Sequence, residues 1–85
     1  MLWDLVITNP AARDLGELPD RDLRRVNSAF EAMRANPYGG DIKVLRGSGG
    51  TLRRRVGSWR ILFGVDQAKR TVVIFGVKRR TSTTY

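Results

Sequence analysis

The sequence predicts one small α+β domain of order β-α-α-β-β-β. A mainly antiparallel four-stranded sheet carries an N-terminal helical hairpin on one face. Three observations predict this. Two helix-period stretches near the N-terminus are joined by the tight link Leu18-Pro19. The β-type runs after residue 51 are separated by loops short enough for hairpins. A length of 85 residues suits one domain with one core. The pattern does not decide where the first strand inserts.

Residues 2–8 (Leu-Trp-Asp-Leu-Val-Ile-Thr) are β-rich and apolar enough for a partly buried strand. Asn9-Pro10 reads as a helix start, with Asn9 as a cap and proline at the first helical position. The following short helix puts Ala11, Leu15 and Leu18 on one stripe; Gly16 weakens it, so packing must hold it. Asp20 reads as the N-cap of a second helix whose core stripe is Leu23, Val26, Phe30 and Met33. Pro37 disfavours helical geometry at Asn36 and ends that helix near Ala35.

Residues 36–50 hold Pro37 and five glycines and read as a loop, with Ile42 to Leu45 packing down in its middle. Gly47-Ser48-Gly49-Gly50 lacks the Lys-Ser/Thr and the helix start of a phosphate-cradling P-loop, and reads as a connector. A hairpin follows over residues 52–65, turning at Gly57-Ser58. After a turn at Asp66-Gln67-Ala68-Lys69, residues 71–77 are apolar on both faces, as a central strand should be. The tail, Lys78-Arg79-Arg80-Thr81-Ser82-Thr83-Thr84-Tyr85, is basic and then hydroxyl-rich.

Strand side chains alternate between faces. Trp59, Ile61 and Phe63 therefore share the core face with Leu52 and Val56. Arg53, Arg55 and Arg60 gather on the opposite face. Such a cluster repels itself and calls for a polyanion. Arg54 breaks the alternation: either its charge is carried to the rim, or a bulge shifts Arg53 or Arg55 by one face.

Charge points the same way. Residues 1–42 carry five Lys+Arg against seven Asp+Glu, whereas residues 43–85 carry eleven against one. A half-chain this basic implies a phosphate-rich partner, most simply a nucleic acid. The chain has no cysteine and no histidine. This removes disulfides, the usual zinc ligands and any His-based nucleophile pair, so chemistry must rest on Arg, Lys, Tyr or carboxylates. No cofactor and no metal are expected. No apolar run approaches a membrane span, and residues 1–8 lack a charged signal-peptide start, so a cytoplasmic protein without membrane contact is expected.

Trp3-Asp4-Leu5-Val6-Ile7, Ala12-Arg13-Asp14-Leu15 with Leu18-Pro19, Asn36-Pro37, Leu45-Arg46-Gly47 and the run from Arg53 to Phe63 occur in order over nearly the whole chain. Together with Val77-Lys78-Arg79 and Tyr85, they resemble the RelE/ParE toxin superfamily, on the RelE side. The resemblance implies a microbial-ribonuclease-like α+β domain that cleaves mRNA in the ribosomal A site and so inhibits translation. It also implies a cognate antitoxin wrapping the basic face in a hetero-oligomer. Carried over by position, Arg53, Arg55 and Arg60 would clamp phosphate, and Arg79 would stabilise the leaving group or act as the acid. Tyr85 would stack on a base or assist deprotonation of the 2′-OH. Lys43, Arg46, Lys78 and Arg80 would be general RNA contacts. Two departures stand out: Arg54 where the family usually has an apolar residue, and no histidine near Lys78-Arg79. The ParE side implies a different activity, a DNA gyrase poison without nuclease chemistry.

Overall fold

The computed structural model describes residues 2–79. Strand β1 (Asp4–Ile7) leads into helices α1 (Asn9–Gly16) and α2 (Asp20–Ala35). Strands β2 (Ile42–Val44), β3 (Leu52–Val56), β4 (Trp59–Asp66) and β5 (Thr71–Arg79) follow. The sheet has five strands in the order β1-β5-β4-β3-β2. The expected four-stranded, mainly antiparallel sheet is thus corrected by one strand. β2 lies inside the expected loop, paired antiparallel to β3 through Ile42–Arg54, Lys43–Arg53 and Val44–Leu52. Three residues among glycines carry too little pattern to announce a strand; non-local pairing makes this one. The first strand is also placed: β1 runs parallel to β5, with Leu5 opposite Val72.

Thr8 joins sheet to helix. Its backbone is extended, and its Oγ1 accepts the Ala11 N–H at 3.3 Å while donating to the Ile74 carbonyl at 2.8 Å. The cap is therefore Thr8, one residue before the expected Asn9. Replacing Thr8 with alanine removes both bonds and should cost about 1–2 kcal/mol, read as a lower urea midpoint at unchanged slope. At α2 the capping position is Pro19, which makes no side-chain cap bond, and Asp20 and Asp22 instead place negative charge on the first turn. The end at Ala35 is as Pro37 requires.

Both helices cover one sheet face. Ala11 of α1 and Val26, Ala29, Phe30 and Met33 of α2 meet Ile61, Phe63, Val72, Ile74 and Val77 in the core. β5 reaches this core from both sides of a bulge. Its pairing with β4 steps from Leu62–Gly76 to Phe63–Ile74, so Phe75 has no partner across the strands. Beyond the end of β1, the Asp14 carboxylate of α1 takes over the β5 edge, accepting the Val77 N–H at 3.0 Å.

Arg54 is settled by the register. The β3–β4 pairing runs without a shift from Leu52–Phe63 to Val56–Trp59, which puts Arg54 opposite Ile61 on the helix-side face. Its Nη1 donates to the Gly39 carbonyl at 3.0 Å. Gly40 has φ +80°, and a Cβ there would stand 2.7 Å from the Arg54 Cζ. The charge is carried to the rim over a glycine, and Arg53 and Arg55 keep their expected face.

Candidate nucleic-acid interface

The uncovered face of the sheet is built from two cross-strand rows. Arg55 stands opposite Arg60, and Arg60 opposite Lys78, so three cations occupy one row across β3, β4 and β5. In the adjacent row Lys43 stands opposite Arg53, Arg53 opposite Leu62, and Leu62 opposite Gly76. Neighbouring strands lie about 4.8 Å apart, and like charges directly opposite destabilise a sheet by a few tenths of a kcal/mol or more. The row therefore weakens the fold that carries it.

Two carboxylates offset part of this charge from outside the sheet. Asp41, in the turn before β2, approaches Arg53 Nη1 at 3.4 Å and Arg55 Nη1 at 3.9 Å. Its backbone carbonyl also accepts the Arg55 N–H at 2.9 Å. Asp14 holds Lys78 Nζ at 3.2 Å. Arg60 has no ion-pair partner among the described residues, and its Nε is buried without a hydrogen-bond acceptor. A buried donor left unmade is costly.

Asp41 is more than half exposed, so its pairs add little stability, but it holds two arginines that phosphate would compete for. Asp41→Asn should tighten binding to a single-stranded RNA oligomer by about 2- to 10-fold at low salt. The gain should fade as salt screens the face. Fluorescence anisotropy across a salt series checks this; equal affinities at every salt would refute it.

The structure brings Arg53, Arg55, Arg60, Lys43 and Lys78 together. It places the other expected residues elsewhere. Arg79 stands opposite Trp59, on the helix-side face at the end of the sheet, with its guanidinium 4.8 Å above the Trp59 ring. Arg46 sits in the exposed turn between β2 and β3. Arg80 and Tyr85 lie outside the described residues.

No protein-family model matches the chain. A Methanocaldococcus jannaschii protein named for the RelE toxins, RelE1, is 30% identical over 83 residues, covering 94% of this chain and 92% of that protein. Toxin RelG of Mycobacterium tuberculosis is 35% identical over 81 residues, covering 94% and 93% respectively. The chain belongs to the RelE toxins of the RelE/ParE superfamily. A solved structure of the Mycobacterium tuberculosis RelBE2 toxin-antitoxin complex contains a similar chain. It is 34% identical, superposes with a TM-score of 0.83, and spans 94% of this chain and 100% of its own.

In this RelE-family chain, sequence reasoning missed Lys78 as the neighbour of Arg60, and both counter-carboxylates. Alternation counted from Val72 and Ile74 would put residue 79 on the open face; the bulge at Phe75 reverses the parity and brings Lys78 there instead. No signal marks Asp41 or Asp14, since each acts from a neighbouring element. Among the described residues no helix is long and apolar enough to cross a membrane.

Proposed function

We propose that this chain is the toxin of a toxin–antitoxin pair, an endoribonuclease that cleaves mRNA in the ribosomal A site. A cognate antitoxin would silence it by covering the basic face. The observation that carries the reading is the Arg55–Arg60–Lys78 row on the uncovered face, with Arg60, which has no ion-pair partner among the described residues, at its centre.

RNA brings its own nucleophile. The 2′-oxygen attacks the adjacent phosphorus, the P–O5′ bond breaks, and a cyclic phosphate remains. The 2′-OH proton must leave and the departing 5′-oxygen must gain one. The protein's part is alignment and stabilisation of the negative charge that builds on the phosphate oxygens. Planar guanidinium groups make two-pronged contacts to phosphate. Arg60 takes the developing charge, and Arg53 and Arg55 exchange Asp41 for phosphate oxygens. Arg79 reaches the leaving oxygen only by swinging off the Trp59 ring, while Lys78 is already in register with Arg60. Tyr85 is proposed as the stacking or proton-accepting group on sequence grounds alone.

Mapping mRNA 5′ ends after induction tests the whole reading. New ends at A-site-positioned codons of translated frames are expected. Intact mRNA with lost DNA supercoiling would overturn the reading in favour of a gyrase poison.

A further inference from the structure

Counted by alternation from Val77, Phe75 belongs on the covered face. The bulge turns it out instead, leaving it 44% exposed on the same side as the basic rows. Bulges re-aim side chains in this way. The ring lies against Gly64 so closely that a Cβ there would come within 3.1 Å of the Phe75 Cε2 and Cζ. One side of the ring is thus backed by β4 backbone. A single exposed apolar residue needs no explanation. Here the exposed phenylalanine comes with a kinked strand, a glycine that seats it, and a shallow depression of about 200 Å³ lined by Gly64, Val65, Asp66 and Val73 beside it.

The charge along the face says what fits there. The register runs from the Arg55–Arg60–Lys78 row, through the Lys43–Arg53–Leu62–Gly76 row and the apolar zone of Phe75 and Val73, to the row Asp66–Thr71–Asp4. The sheet's cations stand at the first end and its carboxylates at the last, so phosphates are held at the first. Phe75 is three residues along β5 from Lys78, or roughly 7–10 Å at strand rise. That is the reach of a nucleotide or two of extended backbone. A group on this path that carries no charge and presents a flat apolar surface is a nucleobase. Aromatic side chains beside a basic track bind bases by stacking, whatever their identity.

Resting on the RNA-cleaving reading above, we propose that Phe75, seated on Gly64, is a stacking platform for one base of the single-stranded RNA whose phosphates occupy the Arg55–Arg60–Lys78 row. The platform contacts the substrate away from the scissile phosphate, so it sets affinity and register and takes no part in proton transfer.

The test uses short 2′-O-methyl RNA oligomers, which bind without being cleaved, carrying either 2-aminopurine or an abasic site at each position in turn. With the wild-type protein, one position should show strong 2-aminopurine quenching, and removal of that base should weaken binding roughly 10-fold, as for one lost stack. Phe75→Leu should lose both effects and become indifferent to the abasic site, whereas Phe75→Tyr should keep them. If every position responds alike in the wild type, or if Phe75→Leu retains the positional response, the platform is refuted while RNA binding stands. Unchanged RNA behaviour with weakened antitoxin binding would assign Phe75 to a protein contact and likewise refute it. No RNA binding by the wild-type protein would overturn both this proposal and the reading it rests on.

Discussion

Arg60→Ala is expected to abolish growth inhibition while leaving the fold and antitoxin binding intact. Arg60 lies at the middle of the cation row and lacks a carboxylate partner among the described residues. Its removal relieves repulsion on the sheet, so a loss of activity from unfolding is not expected. Removing one preorganised donor from a developing oxyanion typically costs about 100- to 1,000-fold in rate. On the proposed reading, cleavage of ribosome-bound mRNA should fall by that amount. Arg60→Lys should recover only part of it, because a point charge does not supply the planar fork. Urea denaturation of the variant controls for folding. Full toxicity from Arg60→Ala would remove the phosphate-clamping assignment.

The largest effect on stability should come from Phe63→Ala. Phe63 is fully buried and is the largest such side chain, paired across the sheet with Leu52 and Ile74. Truncating a buried phenylalanine costs about 3–5 kcal/mol. A domain of this size has roughly 4–13 kcal/mol in all. The variant should therefore lie near the edge of folding, with a urea midpoint reduced by about a third or more. The same strand alternates Arg60 and Leu62 with Ile61 and Phe63, so weakening the core also loosens the face that carries the cations. A midpoint within experimental error of wild type would contradict the packing described for β4.

The parts legible in the sequence are those written in local periodicity. The stripe Val26, Phe30 and Met33 defined α2, and the alternation from Leu52 to Phe63 defined the hairpin and placed Arg53, Arg55 and Arg60 on one face. Contacts between distant segments were not legible. β2 exists because β3 pairs with it. Lys78 takes the place beside Arg60 because one unpaired residue, Phe75, reverses the parity of β5. Asp41 and Asp14 reach the arginine and lysine heads from a turn and a helix, and no spacing rule connects them to those heads. Arg54 violated the pattern for a reason visible only in three dimensions, a glycine at left-handed φ under its guanidinium.

The sheet order carries a consequence in time. β5 lies between β1 and β4, and the pairing of Leu5 with Val72 spans 67 positions of chain. Contacts of such separation form late, since a long loop must close before they contribute. Until β5 has been made, β1 has no strand partner, Ile61 and Phe63 lack Val77 and Ile74 across from them, and Arg60 has no Lys78 beside it. On the proposed reading, a partly synthesised chain therefore lacks the complete cation row that phosphate would occupy. The row is completed only when the fifth strand slides into place, so the face proposed to meet RNA and antitoxin is a late product of folding.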